Sequence, residues 1–154
     1  MVNIITANTN ADYEAAAILF QEYATWLNID LSFQNFDDEL NQLRTMYSFP
    51  EGTILLAKEN DIFIGCVAVR KKENDIAELK RMYIKPSYRQ KGIATMLLEN
   101  SLLIATTLGY KKIRLDTLAN MTPAINLYKQ HGFYEIEPYY FNPEENAVFF
   151  EKLL

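Results

Sequence analysis

Cysteine and histidine are almost missing from this chain: Cys66 and His131 are the only residues of their kind. A lone cysteine excludes an internal disulfide, and with no Cys/His cluster we expect no metal site. No apolar run approaches the roughly 20 residues that cross a bilayer as a helix. The first residues, MVNIITANT, lack a basic region followed by an apolar stretch, so we expect no signal peptide and a cytoplasmic protein. Positive charge is short as well, with 15 Lys and Arg against 20 Asp and Glu, a net charge of −5. That balance disfavours broad electrostatic binding, so neither nucleic acid nor a membrane surface is expected as a partner. Repeats, low-complexity segments and linkers are absent too, and residues 1–154 read as one domain.

What is present is a good core. Hydrophobic residues make up 49% of the chain and aromatics 13%, enough for one well-packed interior. Residues 2–6 read as a strand. A helix follows from an N-cap at Asn10 to about Leu27, with Tyr13, Ala16, Ala17, Phe20, Tyr23, Ala24 and Leu27 at helical spacing. Residues 28–35 read as loop, and 36–46 as a second helix with Leu40 and Leu43 facing inward. Strands are expected at 53–59 and 62–70, turned by Asn60-Asp61, and a third at 76–84. A helix ending at Gly109 comes next, then a strand at 112–117, a helix at 123–130, and strands at 133–137 and 147–153. This β-α-α-β-β-β-α-β-α-β-β order predicts an α/β (α+β) fold: a mixed sheet with helices on both faces.

Glycine is scarce, with five in all, so Gly92 in YRQKGIATMLLEN (Tyr88–Asn100) stands out. It lies just ahead of an apolar helix, between the cations Arg89 and Lys91 and that helix's first amides. The first four N–H groups of a helix have no partner within it, and its dipole makes that end positive. Arg89, Lys91 and the amides of Gly92, Ile93, Ala94 and Thr95 therefore suit a phosphate or pyrophosphate. A solvated basic turn before a core helix is the plainer alternative. Neither GxxxxGK[ST] nor GxGxxG is present, which excludes the usual ATPase and dinucleotide loops.

The stretch 78–94, ELKRMYIKPSYRQKGIA, resembles the acyl-CoA-binding motif of the GNAT superfamily of N-acetyltransferases, with Arg89–Ala94 matching its [RQ]xxGx[GA] loop. Downstream, AINLYKQHGF (Ala124–Phe133) resembles that family's AxxLYxxxGF segment. The element order follows the family over essentially the whole chain. More narrowly, KRxY, DTL and PYYxNP segments resemble a bacterial branch. The resemblance implies a mostly antiparallel sheet splayed at a central parallel strand pair. It implies acetyl-CoA as co-substrate, with no metal. The pyrophosphate would sit on Arg89, Gln90, Lys91, Gly92, Ile93, Ala94 and Thr95, and the pantetheine arm beside Met82, Tyr83 and Ile84.

The implied reaction moves an acetyl group directly from acetyl-CoA to a primary amine of a small molecule or peptide. An ammonium must lose its proton before it can attack, and the departing thiolate leaves more easily when protonated. Glu78, eleven residues ahead of Arg89, matches a glutamate base found in some members; a strand carboxylate paired with Lys80 or Arg81 is the alternative. Tyr128 matches the family's usual general acid, against a tyrosine merely packed on its helix. The family often carries an asparagine three residues before the alanine of AxxLY; here Met121 stands there and Asn120 one position earlier, which leaves Asn120 as the polar coenzyme contact. The acceptor pocket would draw on Trp26, Phe33, Arg81, Asp116, Tyr139 and Tyr140. Arg81 would bind a substrate carboxylate or pair with Glu78, Asp116 would touch substrate or cap a turn, and the aromatics would line the pocket, fill the core or serve a homodimer contact. His131, in the last turn of a helix, and Cys66, in the apolar strand IGCVAV, read as structural. A coenzyme-sensing or partner-binding module without turnover is the rival function.

Overall fold

In the chain's computed structural model, which describes Met1–Leu154, the sheet is built outward from two tight turns. Asn60 and Asp61 take φ of 50° and 65°, the left-handed pair that matches a hairpin's twist. They join β2 (Thr53–Glu59) to β3 (Ile62–Glu73). The second turn, at Asn74-Asp75, joins β3 to β4 (Ile76–Ile84), with Glu73 opposite Ile76. β3 thus runs three residues past the expected Arg70, because the turn needs only two residues and the charged stretch before it keeps pairing.

β1 (Val2–Thr6) lies antiparallel on β2. Beyond β4 come β5 (Lys112–Leu118), β6 (Tyr134–Ile136) and β7 (Ala147–Leu153). The seven strands form one sheet in the order β1-β2-β3-β4-β5-β7-β6. Only the β4–β5 pair is parallel, the product of the crossover between them.

α1 (Asn10–Leu27) covers one face with Ala16, Leu19 and Phe20, packed with Ile54, Leu56, Cys66, Ala68 and Tyr83. Its cap is Thr9 rather than the expected Asn10. Thr9 Oγ1 accepts from the Asp12 amide and the Asp12 carboxylate accepts from the Thr9 amide, a reciprocal box that Asn10 cannot form. The opposite face is covered by α4 (Ile93–Thr107), which buries Ile93, Leu97, Leu98 and Ala105 among Leu55, Val67, Leu79 and Leu115.

The segment after α1 departs most from expectation. Leu31–Gln34 forms a 3₁₀ turn capped by Asp30 within the expected loop. The expected helix 36–46 is broken into α2 (Phe36–Leu40) and α3 (Leu43–Met46). At the break the Gln42 amide bonds to the Glu39 carbonyl three residues back, and the Asn41 side chain donates to the Asp37 carbonyl. α5 (Thr122–Gln130) leads into β6.

Candidate active site

β4 and β5 stay together for three residues only. Ile76, Ala77 and Glu78 face Lys112, Ile113 and Arg114, and the strands then part. β5 continues along β7 and β4 along β3, so the inner edges of both strands are left with backbone groups that have no ladder partner. Such groups need another partner, and an extended ligand can supply one.

At one end of this cleft stands the loop before α4. Gln90 and Gly92 take φ of 63° and 80°. Gly92 caps α4 with no side-chain acceptor, and a Cβ built on it would meet nothing within 4 Å. The amides of Gly92, Ile93, Ala94 and Thr95 have no acceptor within the chain; Met96 is the first to find one, the Gly92 carbonyl at 3.1 Å. Open amides, a helix dipole, open space and two cations together fit a pyrophosphate. Arg89 lies beside this loop, its Nε donating to the Ile84 carbonyl at 2.9 Å and its guanidinium 4.4 Å over the Trp26 ring.

The cleft widens into a cavity of about 120 Å³. Its walls include Leu79, Lys80, Arg81 and Met82 of β4, Leu115–Leu118 of β5, Met121 at the cap of α5 with Ala124 and Tyr128 inside that helix, and Ile29, Leu31, Phe33 and Gln34. Tyr128 is buried against Phe133, and its hydroxyl, on the cavity side, meets no hydrogen-bond acceptor. Burial, then the nearby Tyr23 and Asp116, push its pKa well above the usual phenol value, so it stays protonated at neutral pH.

Charges gather at the far end. Arg81 takes φ of 61° in mid-strand, and the β3–β4 register slips between Cys66 and Ala68. This bulge breaks the in–out alternation, so the adjacent Lys80 and Arg81 both reach the cavity wall. Arg81 grips Glu39 with two bonds, Nε to Oε2 at 3.0 Å and Nη2 to Oε1 at 2.8 Å. Burial alone would raise the Glu39 carboxyl, but these bonds and the Arg81 charge outweigh it, and its pKa falls below the usual value.

Lys80 Nζ donates to Gln34 Oε1 at 3.3 Å and lies 3.9 Å from Glu78. Burial, then the neighbouring Arg81, push its pKa down to about 8. Glu78, only 3% exposed, is held by the Tyr139 hydroxyl at 2.8 Å and by Arg70 at 3.7 Å. Asp116 Oδ2 accepts from Tyr140 and from Asn142. Its other oxygen, on a residue of the cavity wall, makes no hydrogen bond.

The expected site residues therefore divide. Trp26, Phe33, Arg81, Asp116, Met82 and Tyr128 stand on the cavity wall. Tyr139 and Tyr140 lie behind it, packed edge-to-face against Phe149, each with its hydroxyl on a carboxylate. Glu78 lies off the wall beside Lys80. Arg81 pairs with Glu39 rather than Glu78, because the bulge turns it toward α2. Asn120 is exposed and off the wall, whereas Met121 is on it. His131 bonds to the Leu127 carbonyl through Nδ1 and faces Glu99, and Cys66 donates to the Arg81 carbonyl from the core. Sequence reasoning missed Glu39, Gln34 and Glu144, polar residues in segments that read as loop or solvent-facing helix. No group of three or more His, Cys, Asp or Glu is arranged for a metal, and no helix is long and apolar enough to cross a membrane.

The Glu39–Arg81 pair makes a prediction for stability. Glu39→Gln leaves a buried guanidinium short of its counter-charge, and breaking such a pair costs about 3–5 kcal/mol. Since the folded protein holds the Glu39 pKa down, its contribution is complete above the unfolded carboxylate value of about 4.3 and fades as pH falls below it. Urea midpoints from pH 7 to pH 3 should show the wild type converging on the variant in acid. A constant gap across that range would mean that the carboxylate charge contributes nothing.

Known proteins share this fold. The model of the acetyltransferase (GNAT) family matches residues 18–133. An uncharacterized N-acetyltransferase of Schizosaccharomyces pombe is 37% identical over 150 residues, covering 96% of this chain and 92% of its own. Among solved structures, an acetyltransferase of the GNAT family from Staphylococcus aureus superposes with a TM-score of 0.82 at 22% identity, covering 99% of both chains. The PaiA N-acetyltransferase of Thermoplasma acidophilum, in complex with coenzyme A, gives a TM-score of 0.79 at 21% identity, covering 100% of this chain and 99% of its own. The splayed sheet is the GNAT fold, and the chain belongs to the GNAT family of acetyltransferases.

Proposed function

We propose that the protein transfers an acetyl group from acetyl-CoA to the primary amine of a small acceptor by direct attack. The observation that carries this reading is the cleft: unpaired strand edges run from an anion-ready helix N-terminus to a cavity that holds a protonated phenol and a free carboxylate oxygen. Acetyl-CoA would supply an activated thioester there. Arg89, Lys91 and the amides from Gly92 to Thr95 would hold its pyrophosphate, and the edge of β4 at Met82, Tyr83 and Ile84 would pair with its arm.

Asp116 would hold the acceptor's ammonium through its free oxygen. Glu78 would take the proton, through water, since its carboxylate lies behind Lys80 rather than on the wall. Tyr128 would donate a proton to the departing sulfur. Burial keeps it protonated at neutral pH, so the proton is present to be given.

Acetyl-CoA should raise the melting temperature of the free protein, because a ligand selective for the folded state stabilises it. Gly92→Glu should abolish that shift by placing a negative charge among the amides. Gly92→Ala, which shares the strain at φ 80° but adds no charge, should retain most of it. An undiminished shift in Gly92→Glu would rule out this loop as the pyrophosphate site.

Tyr128→Phe keeps the packing and removes the donor, so kcat should fall about 100-fold or more while acetyl-CoA affinity holds. Unchanged turnover at every pH would make Tyr128 a packing residue only.

Glu78→Gln should lower kcat/KM by about 10²–10⁴-fold at neutral pH, the usual contribution of a general base. The defect should shrink as pH rises and more of the acceptor amine is already neutral. Parallel pH profiles for wild type and variant would remove Glu78 from the mechanism and pass the proton to Asp116.

A further inference from the structure

The end of the cavity away from the α4 loop holds more positive charge than the protein itself neutralises. Three cations, Arg70, Lys80 and Arg81, share two carboxylates there, Glu39 and Glu78. Glu39 is used up by Arg81. Glu78 divides itself among the Tyr139 hydroxyl at 2.8 Å, Arg70 at 3.7 Å and Lys80 at 3.9 Å. Lys80, with its side chain only 10% exposed, keeps a single hydrogen bond, to a neutral amide oxygen at 3.3 Å. A buried ammonium with three N–H donors is poorly served by that arrangement. Arg81 likewise spends two of its nitrogens on Glu39, while its Nη1 makes no hydrogen bond.

Both side chains stand on the cavity wall, and they do so because of the Arg81 bulge. In a regular strand one of two adjacent residues would point into the opposite face of the sheet. The opposite sign stands across the cavity, on Asp116 and Glu144. The two ends are tied by a chain of hydrogen bonds: Lys80 Nζ to Gln34 Oε1, Gln34 Nε2 to the Tyr140 hydroxyl, and that hydroxyl to Asp116.

We propose that Lys80 and the free Nη1 of Arg81 form a carboxylate subsite, so that the acceptor is an amino carboxylate, bound by its anion at Lys80–Arg81 and by its ammonium at Asp116. The proposal rests on the transfer reading for its amine half, but the subsite is defined by this chain's own charges. An amine lacking the carboxylate would leave Lys80 buried and unpaired, and would lose the strong bonds that charged partners make. The lowered pKa of Lys80 fits the same picture, because its charged form lacks solvation that an arriving anion would supply.

The test uses matched probes: the common amino acids, their carboxamides, and the N-acetylated form of each. Following thiol release from acetyl-CoA, kcat/KM for acids should exceed that for carboxamides by about 10–100-fold, the span of a hydrogen-bonded charge contact. Lys80→Met should collapse the ratio, mainly through KM, and Lys80→Arg should keep part of it, with melting curves checking that both variants fold.

N-acetyl amino acids, which carry no titrating amine, should bind in the presence of coenzyme A more tightly than their carboxamides. That advantage should fade as pH rises through about 8, where Lys80 loses its charge. The groups facing Lys80 are Glu78 and Arg81 on β4, Arg70 on β3, Glu39 on α2 and Gln34 on the 3₁₀ turn. Carboxylates and guanidinium groups ordinarily titrate far from that window.

Equal turnover of acids and carboxamides would overturn the subsite and leave the transfer reading standing. Lys80-dependent binding of N-acetyl acids without thiol release from any amine would do the reverse. Neither binding nor turnover would overturn both.

Discussion

The site depends on a parallel strand pair that is held together at one end only. β4 is tied to β3 through seven residue pairs and β5 to β7 through seven, but β4 and β5 share three. Each strand therefore follows its antiparallel neighbour, and the right-handed twist between neighbouring strands is free to open the weaker seam. α4 closes the crossover on one face, while α1 and the 3₁₀ turn after it stand on the other. The opened seam costs unpaired backbone groups, and it yields a slot whose edges are donors and acceptors already fixed in an extended line. A 3₁₀ turn at Pro86–Tyr88 joins β4 to the loop at Gln90–Gly92, and Arg89 Nε donates back to the Ile84 carbonyl at the end of β4, which holds the open helix N-terminus beside the slot.

The bulge at Arg81 is the second constraint, and it too is held by opposing forces. A non-glycine residue at φ 61° costs about 1–3 kcal/mol. Three contacts hold it: two bonds from the Arg81 side chain to Glu39, and the Cys66 thiol donating to the Arg81 carbonyl. A buried ion pair is weak evidence of net stability, since removing its charges from water costs about as much as they return. Its effect here is positional: once Arg81 is committed to Glu39, β4 cannot regain its alternation without stranding both charges. Lys80 is thereby kept on the cavity wall.

Much of the fold was legible because local chemistry decided it. Asn60-Asp61 names its own turn, Gly92 and Gly109 bracket α4, and the apolar runs of β2 to β4 admit few other readings. The break between α2 and α3 was not legible: Leu40 and Leu43 keep helical spacing across it, and no proline or glycine marks it. Charge pairing was less legible still. Glu78, Lys80 and Arg81 are neighbours in sequence, and a strand of regular pleat would set Glu78 and Lys80 together against Arg81. Glu39 lies 42 residues from Arg81, in a helix whose three acidic residues look alike in the sequence. Only burial, at 1% exposure, separates it from the Asp37 and Asp38 beside it.

The late loop shows how the same residue types change meaning once placed. Tyr139 and Tyr140 read as pocket aromatics, yet both pack edge-to-face on Phe149 and each spends its hydroxyl on one acid, Glu78 or Asp116. Burial raises both phenols above their usual pKa, and the acids they hold raise them further, so both remain donors across the neutral range. A neutral donor fixes a carboxylate without cancelling its charge, which a lysine in the same place would do. Consecutive tyrosines thus set one acid behind the wall and one on it, as a framework beneath the cavity. The cavity wall also includes Ile29, Leu31, Phe33 and Gln34. That segment is pinned at each end by an asparagine in the left-handed region, Asn28 at φ 55° and Asn35 at φ 56°.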